Sequence, residues 1–138
     1  MSGYRVILYH KHPTSARTRF LKFAYGGVCG FEPLPTLAQR VESGRDNTVI
    51  HPAAILLEAE QYLQLERGNL EYESGFQHRV EIPGAVLQLI LARFTTIDPP
   101  FSSAERVGAE FIDLTQARGL PEVELELLRD VYELALGG

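Results

Sequence analysis

The sequence predicts an α+β fold in which about four mostly antiparallel strands form a single layer with helices packed on it. Three observations favour this class: a strand-like alternation that ends at a Pro-Gly pair, a long apolar segment directly after it, and helical spacing towards both ends of the chain. The chain has 138 residues, a length typical of one domain. We therefore interpret residues 1–138 as a single globular domain.

The segment from Phe76 to Ile97 reads as a β-hairpin. Apolar and polar side chains alternate through residues 76–82, which is typical of a strand with one buried face. Pro83-Gly84 suits a type II turn, and residues 86–97 are apolar on both faces, as in a covered central strand. A buried helix over residues 84–94 is the alternative, because periodicity alone does not separate the two.

The first third of the chain predicts a strand followed by a helix. Residues 4–10 alternate, and Pro13 ends the strand because proline has no amide hydrogen to donate. Thr14 or Ser15 then serves as the cap of a helix over residues 15–25, whose apolar side chains recur at helical spacing. Residues 37–41 suggest a short helix, and residues 42–48 a mobile loop.

The later elements follow from caps and breakers. A proline at the first position begins a helix at Pro52, which we extend to residue 67. Residues 70–73 suggest a short strand, so that residues 70–97 form a three-stranded meander. Ser102 and Glu105 have capping-box spacing and begin a helix over residues 102–118. Pro121 begins the last helix, over residues 121–136.

The charges are divided unevenly along the chain. The net charge is −5, yet residues 1–31 contain five basic residues and no acidic one. Such a division suggests a local anion site or a pairing surface, whereas a nucleic-acid-binding domain is normally basic throughout. One cysteine and the absence of a signal-peptide pattern or a long apolar span predict a cytoplasmic protein, with no membrane contact.

Histidine spacing suggests one weak metal site. His10 and His12 lie two residues apart on a strand and so point to one side, and His78 lies on another strand. Three imidazoles that converge can bind zinc. We favour the simpler interpretation, in which the three rings are packed or half exposed, and no metal or cofactor is expected.

A second candidate is an anion site at the start of the predicted first helix. A helix N-terminus attracts phosphate or carboxylate through its free amides and its dipole. The residues that would bind the anion are Thr14, Ser15, Arg17 and Arg19. On a helix the two arginines lie about 160° apart, which favours instead a surface helix that pairs with acidic residues.

Two further residues are weak catalytic candidates beside His10 and His12. Cys29, among glycines, needs a nearby base such as His51 or His10 to act as a nucleophile, and a packed thiol is the simpler interpretation. Asp98 follows the central strand and precedes two prolines, where a carboxylate would be held in place. An Asp that bonds its own turn is the simpler interpretation there.

Two functions are consistent with these patterns. The favoured one is a small accessory or regulatory protein that binds a partner protein or its own copy, supported by the divided charge and by Leu127 and Leu134 outside the main stripe of the last helix. The alternative is a small enzyme or ligand-binding domain with an anion site and histidine chemistry. Nucleic-acid binding is not expected.

Overall fold

A computed structural model describes residues 3–35, 37–41 and 51–137 of the chain. In those residues seven strands form one mixed sheet, so the expectation of about four strands was wrong. The strands are β1 (Tyr4–Lys11), β2 (Thr18–Lys22), β3 (Gln39–Val41), β4 (Leu70–Tyr72), β5 (His78–Ile82), β6 (Ala85–Phe94) and β7 (Glu110–Ile112). The helices are α1 (Pro52–Tyr62), α2 (Phe101–Arg106) and α3 (Glu122–Gly137), with a 3-10 turn at Leu114–Ala117. The predicted 42–48 loop lies outside the described residues.

The predicted hairpin is confirmed, and the helical alternative for residues 84–94 is wrong. β5 and β6 pair antiparallel from His78 opposite Leu89 to Ile82 opposite Ala85. Gly84 has a φ of +82°, the left-handed value that the third residue of a type II turn requires. β6 then runs through the middle of the sheet, as its two apolar faces predicted.

The strand order is β3-β5-β6-β1-β2-β7, and only the β1–β6 pair is parallel. β4 is also hydrogen-bonded to β6, with Leu70 opposite Phe94. Because β1 occupies the other side of β6, β4 and β5 lie one after the other along the same side. The predicted meander is therefore wrong, since β4 pairs with β6 and not with β5.

The predicted helix over residues 15–25 is instead the strand β2, which pairs with β1 and β7. The helical spacing was misleading because β2 is covered on both faces: Phe20 packs in the core of one face and Leu21 in the core of the other. Apolar side chains on consecutive residues hide the alternation of a strand. The predicted short helix over residues 37–41 is likewise replaced in part by β3.

The predicted helix over residues 102–118 is also wrong. α2 ends after six residues, Gly108 follows with a φ of +74°, and the chain continues into β7. The expected capping box at Ser102 is absent from α2, whereas Asp113 and Gln116 form one at the 3-10 turn. α1 begins at Pro52 as expected but ends at Tyr62, and α3 matches the predicted last helix closely.

The helices lie on both faces of the sheet. α3 buries Leu127, Leu128 and Val131 against Ile7 and Leu91 on one face. α1 and α2 cover the other face, in a core that also contains the side chains listed next: Val6, Leu8, Ile55, Ala59, Ile90 and Ala104. Consecutive residues of β1 therefore belong to different cores. No helix in the described ranges is long and apolar enough to span a bilayer.

Candidate functional site

The candidate site lies at one edge of the sheet, where β1 and β6 end. Because these strands are parallel, Lys11 and Phe94 mark their carboxyl ends at the same edge. Residues 12–17 continue from β1 as a tight connection to β2, and residues 95–100 continue from β6. In open sheets with helices on both faces, ligands often bind outside the carboxyl ends of parallel strands.

His10 is the buried centre of this edge, with no solvent-exposed surface. Its Nε2 lies 2.8 Å from the carbonyl oxygen of Thr96, which can only accept, so Nε2 donates the hydrogen. Nδ1 then has a lone pair, and this buried atom has no hydrogen-bond partner in the described part of the chain. Burial lowers the pKa of His10; the backbone groups of Thr96 and Ile97 oppose this effect, and the nearby charges of Arg19 and His12 lower the pKa further. With its hydrogen on Nε2, the neutral ring presents Nδ1 as an acceptor.

His12 and Asp98 form the outer part of the same edge. The backbone amides of Thr14 and Ser15 lie 3.2 and 3.3 Å from Nδ1 of His12, which accepts from both. The proton of the neutral ring is therefore on Nε2, which lies 3.5 Å from Oδ1 of Asp98. The side chain of Asp98 is 75% exposed. The ring centres of His10 and His12 are 6.4 Å apart, so three of the four weak catalytic candidates lie together.

Arg19 supplies a positive charge beside His10. The two residues are directly opposite in the antiparallel β1–β2 pair, so their side chains project from the same face of the sheet. The guanidinium carbon of Arg19 lies 5.6 Å from the centre of the Phe101 ring. No carboxylate in the described ranges forms an ion pair with Arg19.

The other predicted anion-binding residues are arranged differently from the expectation. The helix N-terminus on which that prediction relied is not there, since residues 12–17 form a turn between strands. The amides of Thr14 and Ser15 are directed to His12. Arg17 contacts Asp113 through two hydrogen bonds, of 3.3 and 3.1 Å. Arg19 is thus the member of the set with a cationic group and no acidic partner among the described residues.

His78 and His10 project from opposite faces of the sheet, so the three imidazoles do not converge. His78 projects from the face that α3 covers, beside Phe76, Arg40 and Asp130. Burial lowers the pKa of His78, and the Asp130 carboxylate opposes this effect. No group of three metal-ligating side chains suited to a metal ion is found within residues 3–35, 37–41 and 51–137.

Cys29 belongs to the core and not to this edge. It is fully buried, and burial together with the Glu124 carboxylate raises the pKa of its thiol well above the ordinary value. Glu124 accepts hydrogen bonds from the amides of Val28, at 2.7 Å, and Cys29, at 3.3 Å. The surroundings thus disfavour the thiolate that a nucleophile needs, and His51, the proposed base, is on the exposed surface.

Sequence reasoning missed three contributors to the edge: Thr96, Ile97 and Phe101. Thr96 acts through its backbone carbonyl, which leaves no signal in residue type. Ile97 and Phe101 are 71% and 50% exposed. The sequence placed Ile97 in the predicted strand over residues 86–97 and Phe101 just before the predicted helix over residues 102–118, so neither was expected at a site. The position of Asp98 before two prolines was the signal available for this segment.

The comparisons with known proteins give no family for this chain. No protein-family model matches it, and no curated protein shows significant similarity to it.

Proposed function

We propose that this protein binds a small anionic ligand at the carboxyl edge of β1 and β6. One observation carries the proposal: the buried His10 ring presents an unpartnered acceptor nitrogen beside Arg19, a cation with no carboxylate partner in the described residues. A buried polar atom without a partner costs about 1–3 kcal/mol, so such atoms are rare unless they have a role.

Each group at the edge has a separate task in this proposal. Arg19 binds the anionic group of the ligand through charge-assisted hydrogen bonds. His12 and Asp98 form a polar rim, and Ile97 and Phe101 provide apolar contact at the surface. A neutral imidazole such as His10 can also accept a proton, so histidine chemistry on the bound molecule belongs to the same proposal. The free, buried Cys29 is consistent with the cytoplasmic location that we propose.

The test is a titration of the 15N-labelled protein with acetate and, separately, with inorganic phosphate. We expect saturable shifts for the amides of residues 10–19 and 95–101, and thermal stabilisation at high ligand concentration. A ligand present at a hundred times its Kd adds about 2.7 kcal/mol to the free energy of unfolding. Arg19→Ala is expected to weaken binding at least tenfold.

The matched control is Arg129→Ala, since Arg129 is exposed on α3 and has no ion pair among the described residues. The control is expected to bind like the wild type, which separates a local contact from a general change of charge. Binding of both anions by Arg19→Ala with unchanged affinity would contradict the proposal.

We also propose, as a second function, association with a partner protein or a second copy of the chain. Its original support is weakened, because Leu127 is buried, Leu134 packs against the core, and several charges pair within the chain. The observation that favours association in the structure is the exposure of Ile97 and Phe101. Exposed large apolar side chains mark interaction sites when they form a patch.

Sedimentation velocity over a wide range of protein concentration tests self-association. The double substitution of Ile97 and Phe101 by serine is expected to abolish any dimer, and Leu136→Ser, at an equally exposed site on α3, serves as the control. Equal dimerisation by all three proteins would exclude this surface as the interface.

A further inference from the structure

We infer that the ligand carries a hydrogen-bond donor, a hydroxyl or an amino group, next to its anionic group, so that it is a small hydroxy acid or amino acid. This inference rests on the proposed function and specifies its ligand. The observation behind it is which atoms of the site donate hydrogen bonds and which can only accept them.

The lone pair on Nδ1 of His10 indicates which chemical class of ligand fits this site. The Thr96 carbonyl fixes the hydrogen of His10 on Nε2, so Nδ1 can only accept. A simple carboxylate such as acetate offers only acceptor atoms, which leaves Nδ1 without a partner. A ligand hydroxyl or amine donates to Nδ1 and removes the cost of that unpartnered atom.

The register of β1 and β2 places His10 and Arg19 side by side, so one ligand can contact both side chains. Directly opposite residues of an antiparallel pair have their Cβ atoms roughly 4.5–5.5 Å apart. A ligand that reaches both side chains at once therefore carries its donor and its carboxylate in one small molecule. Glycolate, lactate and glycine have both groups and are the simplest probes of the pair.

The segment after β6 controls access to this pair. The His10 ring is sealed from solvent, and Thr96 and Asp98 of that segment are joined to each other by a 2.6 Å hydrogen bond from the Thr96 hydroxyl to the Asp98 carbonyl. The neighbouring Ile97 is largely exposed, so its side chain does not anchor the segment in either core. Entry of a ligand requires this short segment to move outward.

The experiment compares matched pairs of ligands that differ only in the donor: acetate with glycolate, and propionate with lactate. For the wild type we expect the hydroxy acid of each pair to bind about fivefold more tightly, which is the effect of one added hydrogen bond. His10→Phe removes the acceptor and is expected to bind both members of a pair equally.

The outcomes separate this inference from the proposed function. If neither phosphate nor any carboxylate binds, both fail. If phosphate binds and no carboxylate does, the inference fails and the anion site stands. If acetate binds as tightly as glycolate, or if His10→Phe keeps the preference, the inference fails and the anion site stands.

A second measurement uses only the wild-type protein, so it does not require the His10→Phe variant to fold. The 15N resonance of Nδ1 of His10 in the wild type is expected to shift on addition of glycolate and to stay in place on addition of acetate. An unchanged Nδ1 resonance at saturating glycolate means that a buried water or nothing occupies the position, which would overturn the inference.

Discussion

Glu124 allows the most decisive test of how the core is built, because two opposing effects act on its carboxyl group. It lies in the first turn of α3, is only 3% exposed, and accepts hydrogen bonds from the amides of Val28 and Cys29. Removal of the acceptor leaves two buried amide donors without partners, at about 1–3 kcal/mol each. Glu124→Ala is therefore expected to lose about 2–6 kcal/mol of unfolding free energy, a large part of the total for a domain of this size.

The pH dependence shows which effect on the carboxyl group is larger. Burial raises the pKa of Glu124 above its ordinary value, although the hydrogen bonds from Val28 and Cys29 act in the opposite direction. The folded state then binds the proton more tightly than the unfolded state does. The stability contributed by this proton is present in acid, and it is lost as the pH rises from the unfolded pKa through the folded pKa.

Urea denaturation of the wild type and Glu124→Gln at several pH values between about 4 and 7 measures this directly. Glutamine does not titrate, so the free-energy difference between the two proteins is expected to be larger at the acid end than at neutral pH. Glu133→Gln, at an exposed position of α3, is the control and is expected to show a nearly constant difference. A difference that grows towards neutral pH would mean that the hydrogen bonds outweigh burial, and our reasoning would be refuted.

Two further predictions concern other buried contacts. The Cys29 thiol is expected to react with a thiol reagent only as fast as the protein unfolds, because it is fully buried and its pKa is raised; rapid reaction of the folded protein would contradict this. Lys11→Met removes the 2.6 Å hydrogen bond from Nζ to the carbonyl of Ala135 in the last turn of α3 and is expected to cost about 0.5–1.5 kcal/mol, with faster amide exchange in that turn. Lys22→Met is the control, and equal effects of the two substitutions would show that the contact contributes little.

The sequence predicted correctly those elements that are determined by residues within the element itself. Pro83-Gly84 and the alternation before it specify the hairpin, because the turn conformation and the buried face are both determined within residues 76–84. Pro52 and Pro121 mark the starts of α1 and α3 for the same reason, since a proline fits only the first turn of a helix.

The elements that were wrong depend on distant neighbours. β2 is a strand because β1 pairs with it on one side and β7 on the other, and β7 lies about ninety residues later in the chain. β7 in turn was hidden inside a predicted helix, where Ala104, Val107 and Phe111 have helical spacing. Each of these segments is apolar because it packs against residues that are distant in the sequence. The local pattern does not show where those residues are.

The candidate site depends on the same long-range pairing. His10 and His12 were predicted as a pair on one strand and Asp98 was predicted separately; Asp98 joins the pair because β1 and β6 are parallel neighbours, with Tyr9 opposite Arg93. Arg19 lies beside His10 because β2 is a strand that pairs with β1, a pairing that the predicted helix did not contain.

A site assembled from β1, β2 and the segment after β6 exists only when the sheet is complete. Its ligand therefore binds the folded state alone and must raise the midpoint of global unfolding, in proportion to the logarithm of its concentration. A ligand that shifts the amides of this edge without raising that midpoint would be bound by a local feature that does not need the complete sheet. The two measurements together decide whether the parallel pair, and not a single loop, forms the binding site.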